Sequence, residues 1–172
     1  MSAKTRTSDS FRKKLADIKL VIMDVDGVMS DGRIIYDSRG NEYKCFDAHD
    51  GFGISRARER GLKLAVISGR TSKVVTVRTR KLGITDVFQN IDDKVSAFRK
   101  IQKKYKLKEY ECCFIGDDEF DLPLLRIVGL SCSPADAMRK VKSAVDYVTE
   151  MNGGRGAIRE VLDMILDAQG LL

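Results

Sequence analysis

The stretch Leu20-Val21-Ile22-Met23-Asp24-Val25-Asp26-Gly27-Val28 decides the fold: an apolar run long enough for one buried strand ends in two carboxylates and a glycine. Side chains alternate along a strand, so Asp24 and Asp26 lie near one face while Val25 points away. Two like charges at the end of a buried strand are costly unless a cation or ligand compensates them. The carboxyl edge of an open α/β sheet is also where ligands bind. The stretch therefore points to metal-assisted chemistry on an anion.

Outward from it, strand and helix patterns alternate, the signature of a doubly wound, mostly parallel α/β sheet of Rossmann type. Strands are predicted at 19–23, 64–67, 86–88, 112–115, 130–132 and 147–148. Helices are predicted at 51–60, 72–82, 94–105, 122–128, 135–141 and 157–168. In the last, Ile158, Val161, Leu162, Ile165 and Leu166 recur at helical spacing. Arg33–Tyr36 and Glu42–Phe46, joined by Asp37-Ser38-Arg39-Gly40-Asn41, break the alternation and read as a β-hairpin flap over about 33–46. Residues 1–17 read as a loose basic tail and 18–172 as one domain, with no internal repeat and no linker.

The 172 residues suffice to bury a proper core. An apolar fraction of 43% and a charged fraction of 33% describe a soluble globular chain. No run approaches the ~20 apolar residues of a membrane span, and the polar, basic start is not a secretory signal. Cys45, Cys112, Cys113 and Cys132 lack metal-finger spacing and read as reduced structural thiols in a cytoplasmic protein. The net charge of +6 is scattered, with no tryptophan, which argues against a nucleic-acid partner and for an anionic small molecule.

Four elements fall at strand ends: Asp24-x-Asp26-Gly27, Ser68-Gly69-Arg70, Lys94 opening a helix, and Gly116-Asp117-Asp118-Glu119-Phe120-Asp121. Together they offer an acidic nucleophile, a hydroxyl, a cation and a carboxylate cluster. Read singly, Ser68 is a turn residue, Lys94 a solvated lysine, and Asp117 or Asp118 a helix cap.

As an ordered set these motifs resemble the haloacid dehalogenase superfamily of aspartate-nucleophile phosphatases, from Ile18 to Leu172. More narrowly the chain is similar to the cap-less 3-deoxy-D-manno-octulosonate 8-phosphate phosphatase family. That likeness is carried by Asp24–Gly32, the hairpin, Phe46–Ile54, Asp146–Thr149 and Gly153–Glu160. The resemblance implies that Asp24 attacks phosphorus to form an aspartyl-phosphate, and that Asp26 acts as acid and then base. It implies that Ser68 and Lys94 bind the transferred phosphoryl oxygens. Mg2+ would be held by Asp24, the backbone carbonyl of Asp26 and Asp117. Asp118 and Asp121 would orient the ligand set and Lys94.

The resemblance also carries substrate contacts onto Asp26, Lys94, the segment Asp47, Ala48, His49, Asp50 and Gly51, and onto Arg70 and Arg78. His49, the only histidine, and Ser55 stand where the family often has arginine. His49 otherwise reads as a surface residue and Arg78 as a solvated helical arginine. With no room for a cap domain, the family's hairpin-mediated homotetramer is expected to supply a wall for the site. The implied activity is release of phosphate from 3-deoxy-D-manno-octulosonate 8-phosphate, leaving the free sugar acid, in lipopolysaccharide precursor synthesis. The alternatives are a nine-carbon sialic-acid-type 9-phosphate substrate, a phosphosugar mutase, which would need a cap, and a non-catalytic receiver-like module, which needs no acid at Asp26.

Overall fold

A computed structural model describes residues 9–172. Its strands are β1 (Leu20–Met23), β2 (Ile35–Tyr36), β3 (Glu42–Tyr43), β4 (Lys63–Ile67), β5 (Asp86–Phe88), β6 (Cys112–Ile115), β7 (Leu130–Ser133) and β8 (Tyr147–Val148). The helices are α1 (Asp9–Asp17), α2 (Ala48–Glu59), α3 (Lys73–Lys81), α4 (Lys94–Tyr105), α5 (Leu122–Leu125), α6 (Arg139–Lys142) and α7 (Ala157–Ala168). Six strands form one parallel sheet in the order β5-β4-β1-β6-β7-β8, and β2 pairs antiparallel with β3 as a separate hairpin.

All four residues of β1 are fully buried, as a central parallel strand covered on both faces requires. Parity along the strands divides the core in two. Val21, Met23, Val66, Cys113 and Ile115 pack with Ile54 and Ala57 of α2 and with Ile158, Val161, Leu162, Ile165 and Leu166 of α7. Leu20, Ile22, Ala65, Ile67, Cys112 and Phe114 face Ala97, Phe98 and Ile101 of α4 and the leucines of α5. Asp24 continues the parity of Leu20 and Ile22, so its side chain heads for the α4 face. Strand order reverses about β1, its chain-order successor β4 on one side and β6 on the other, which makes their shared carboxyl edge the place for a ligand.

Several boundaries differ from the sequence expectation. Residues 9–17, expected within a loose tail, form α1, whose Leu15 is buried against the α7 side of the core; residues 1–8 lie outside the described residues. Gln169 Nε2 donates to the carbonyls of Ala16 and Ile18, tying the end of α1 to the end of α7. Helix α2 starts three residues earlier than predicted because Asp47 caps it, accepting from His49 N at 2.6 Å and Asp50 N at 3.0 Å. The helix expected at 135–141 is confined to α6. Ala135 N is spent on Met151 O and Met138 N on Asp117 O, so the intervening turn serves tertiary contacts instead. Helix α5 is likewise shorter than the predicted 122–128.

Cys112, Cys113 and Cys132 are buried free thiols and Cys45 an exposed one. Among the described residues no helix is long and apolar enough to cross a membrane.

Leu15→Ala tests the docking of α1 on the core. Truncating this buried side chain is expected to cost ~2–3 kcal/mol by urea unfolding, whereas a loose tail would show no loss.

Candidate active site

Backbone geometry sets the first carboxylate. Asp24 N donates to Ile115 O at 3.0 Å, which holds the chain leaving β1 against the end of β6. Gly27 then turns with φ of +91°, and a Cβ built there would stand 2.1 Å from Asp117 Oδ2. Only glycine meets both conditions. The acidic loop after β6 thus leans directly over the turn after β1.

Gly153 closes the turn from the other side. A Cβ on it would lie 1.8 Å from Gly27 O, so the 150–156 segment rests on the bare backbone of the Asp24–Gly27 loop. Gly153 N donates to Asp136 Oδ1 and Gly154 N to Val28 O. The Glu160 carboxylate accepts from the backbone N–H groups of Glu150 and Met151 and from the Tyr147 hydroxyl, which fastens this segment to α7.

Lys94 is the cation of the site. It opens α4, whose N-terminus is capped by Asp93 accepting from Val95 N and Ser96 N. Its ammonium is 2.8 Å from Asp24 Oδ1 and 2.5 Å from Asp121 Oδ1, between the rings of Phe114 and Phe120. Asp121 Oδ2 accepts from Asp117 N at 2.9 Å and Asp118 N at 3.3 Å. One buried carboxylate therefore positions both the lysine and the acidic loop. Ser68 is buried at the end of β4, where its N donates to Phe88 O and its hydroxyl accepts from Arg70 N.

These side chains border one cleft of about 190 Å³, lined by Asp24, Asp26, Ser68, Gly69, Arg70, Lys94, Asp117, Asp118, Phe120 and Asp121. A larger trough of about 750 Å³ between Arg99 and Tyr110 lies elsewhere; its lining repeats none of these residues. The small acidic cleft is the candidate site, since that is where charge and hydroxyl converge.

Its electrostatics demand a further cation. Burial pushes Asp24 up to about 6, reinforced by Asp121 and opposed by Lys94. Burial, then the charges of Asp24, Asp121 and Asp118, pushes Asp117 up to about 8. Burial alone would lower Lys94, but the Asp24 and Asp121 carboxylates outweigh it and hold its ammonium above the ordinary value. Carboxylate oxygens of Asp24, Asp117 and Asp121 lie within 4.8 Å of one another. Asp121 spends its oxygens on Lys94 and two backbone N–H groups, whereas Asp117 Oδ1 is buried without a hydrogen-bond partner. Asp24 and Asp117 thus fit a hard divalent ion that takes oxygen ligands.

Of the remaining predicted residues, Asp118 stands on the cleft rim and the others lie apart from the lining. Asp118 is exposed and accepts from Glu119 N, capping a 3-10 turn; it meets the cleft at its rim and does not contact Lys94. Asp47 is spent as the cap of α2, Ala48 is exposed, and the His49 side chain is 84% exposed. Asp50 turns inward, accepting from Gly156 N and Arg159 N, and so supplies from α2 the cap that α7 lacks in its own sequence. Gly51 is buried against Arg78, whose guanidinium lies over Phe46 and donates to Asp47 O. Arg78 Nε is buried without a partner.

Sequence reasoning missed Phe120, which flanks Lys94, and the hairpin pair Glu42 and Lys44. Glu42 accepts from Arg70 Nη2 at 3.3 Å and from the Ser72 hydroxyl, and Lys44 donates to Asp26 Oδ1. Period-two spacing of 42 and 44 was the available signal, since it puts both on one side of the hairpin arm.

A family model of haloacid dehalogenase-like hydrolases matches residues 65–162, more than half of the chain. The 3-deoxy-D-manno-octulosonate 8-phosphate phosphatase of Escherichia coli (strain K12) is 43% identical over 159 residues, 92% of this chain and 85% of that protein. The chain belongs to the haloacid dehalogenase-like hydrolases, in the 3-deoxy-D-manno-octulosonate 8-phosphate phosphatase family. Among solved members of that family, the Yersinia pestis enzyme superposes with a TM-score of 0.94 at 41% identity, covering 95% of this chain and 89% of that one. The Moraxella catarrhalis enzyme, solved with magnesium, phosphate and KDO, gives 0.92 at 40% identity, covering 95% and 94%. As in the cap-less reading of the sequence, the chain between β1 and β4 holds only the hairpin and α2.

The raised Asp117 makes a signed prediction. Its proton is held in the folded state well above the ordinary carboxylate range, so its contribution to stability is full below about pH 4 and is lost as pH rises towards 8. Without divalent metal, Asp117→Asn is therefore expected to melt above wild type at pH 8, by ~2–4 °C for each ~1 kcal/mol relieved. The difference should shrink at pH 5, and magnesium should raise the midpoint of wild type alone. A variant less stable than metal-free wild type at pH 8 contradicts the charge-repulsion account.

Proposed function

We propose that this chain is a magnesium-dependent phosphatase that releases phosphate from 3-deoxy-D-manno-octulosonate 8-phosphate, yielding the free sugar acid for lipopolysaccharide precursor synthesis. The observation that carries the reading is the contact of Asp24 with Lys94 beside the unpartnered oxygen of Asp117, with Asp26 and Ser68 on the same cleft.

In this reading Asp24 attacks phosphorus and becomes an aspartyl-phosphate as the bond to the sugar oxygen breaks. Asp26 gives its proton to that departing oxygen, then takes one from the water that attacks the intermediate. Ser68 and Lys94 donate to phosphoryl oxygens, where negative charge gathers. Asp24, the Asp26 carbonyl and Asp117 would hold magnesium, which would neutralise charge where an anionic nucleophile must meet a phosphate dianion. Asp121 keeps Lys94 and the acidic loop in place.

Arg70 sits on the cleft wall, held through Nη2 by Tyr36 and Glu42, with its guanidinium placed to meet the substrate carboxylate. Arg78, with its free Nε, and the segment Asp47–Gly51 border a site only when a neighbouring subunit completes it. We assign the assembly as a homotetramer built through the hairpin, whose Ile34, Ile35, Tyr36 and Tyr43 are exposed apolar side chains in need of cover. The setting is cytoplasmic, in keeping with the free thiols. Relatives at 43% and 41% identity named for the eight-carbon substrate favour it over a nine-carbon 9-phosphate. A receiver-like module has no use for Asp26 at the cleft.

With magnesium, wild type is expected to release phosphate from the 8-phosphate, and Asp24→Asn to lose at least ~10³-fold of that activity. Equal release by both proteins removes the covalent mechanism. Light scattering should give four times the chain mass; a monomer at assay concentration counts against the shared site.

A further inference from the structure

The Asp26 carboxylate is held from the hairpin. Lys44 Nζ donates to its Oδ1 and lies 3.4 Å from Glu42 Oε1, and the Lys44 side chain is 0% exposed. Burying an ammonium completely is costly unless it is paired, and the two acids it meets are that pairing. Lys44 lines no part of the acidic cleft, although Asp26 does. It is therefore placed to act on Asp26 and not on a substrate.

The other oxygen of Asp26 is treated differently. Arg70 Nε stands 3.6 Å from Oδ2, beyond hydrogen-bond distance, and that Nε has no partner. Arg70 is spent instead on the Tyr36 hydroxyl at 3.1 Å and Glu42 at 3.3 Å. Glu42 also accepts from the Ser72 hydroxyl at the start of α3. The hairpin is thus pinned to the sheet's carboxyl edge through Glu42, and from that fixed arm Lys44 donates to one oxygen of Asp26, while the other keeps only the longer ion pair to Arg70 Nε.

Resting on the phosphatase reading, we propose that Lys44 is a positioning residue that fixes the Asp26 carboxylate by Oδ1 and so aims Oδ2 at the leaving oxygen of the phosphate ester. A carboxyl group free to turn about its last bond presents its proton in the wrong direction for part of the time, and displacement of a proton donor by an ångström costs up to 10²-fold. The need is greatest for an alkyl ester, whose leaving alkoxide must be protonated as the bond to phosphorus breaks. A nitrophenolate leaves without a proton.

The test measures kcat/KM for the sugar-acid phosphate, or another alkyl phosphate that wild type turns over, and for p-nitrophenyl phosphate. The proteins are wild type, Lys44→Met, Asp26→Asn and the double variant, with Lys44→Gln as a second replacement should the first fail to fold. Lys44→Met is expected to lose at least ~10-fold on the alkyl ester and under ~3-fold on the nitrophenyl ester, and to cost nothing further in the Asp26→Asn background. Equal losses on both esters, or losses that multiply in the double variant, overturn the proposal and leave Lys44 a structural ion pair. Lack of activity in wild type on either ester overturns the phosphatase reading instead.

Discussion

The contact on which the rest of the site depends is that of one buried lysine with two carboxylates. Lys94 touches Asp24 and Asp121, and with Asp117 beside them three acids share one cation. In a buried setting such a deficit of positive charge raises carboxylate pKa values, as it does at Asp24 and Asp117. The same deficit makes the site a receptor for a divalent ion. Asp121 is the member whose oxygens are taken up, by Lys94 and by the N–H groups of Asp117 and Asp118. It organises the other groups, and it does so from a fully enclosed position on the first turn after β6.

Packing the acids this tightly requires backbone to approach backbone. The turn at Gly27 admits Asp117 on one side and Gly153 on the other, at distances no side chain tolerates. Residues from β1, β6 and the segment before α7 meet at that single turn. The segment before α7 is therefore part of the site's foundation as much as a cover for it. Asp50, bonded across to the start of α7, extends the same foundation into α2.

The hairpin takes the place that an inserted domain would occupy, and it is joined to the chemistry through charge. Glu42 holds it to Arg70 and Ser72, and Lys44 reaches Asp26. Its Ile34, Ile35 and Tyr43 stay exposed, while Tyr36, Glu42 and Lys44 bond to Arg70 and Asp26 at the cleft. A short two-stranded arm has little stability alone, so these ionic ties matter to its placement.

Much of this was legible from residue order. The apolar run before Asp24 dictated a buried strand, and alternation along it put Asp24 and Asp26 near one face and Val25 on the other. The motifs at Ser68, Lys94 and Asp117 stood at strand ends or a helix start, where a parallel sheet collects them. Those features depend on local periodicity, which a chain carries in itself. Helix α1 escaped notice because nine mostly polar residues show too little periodicity; its stability comes from docking Leu15 beside α7. Asp47 and Asp50 read alike, yet one caps its own helix and the other a helix more than a hundred residues away. Lys44 looked like any hairpin lysine until the fold enclosed it against Asp26. Residue types and spacing determined which chemistry the chain possesses; which carboxylate is free, which is saturated and which cation holds it were decided by contacts between distant segments, since burial and pairing exist only once the sheet has brought them together.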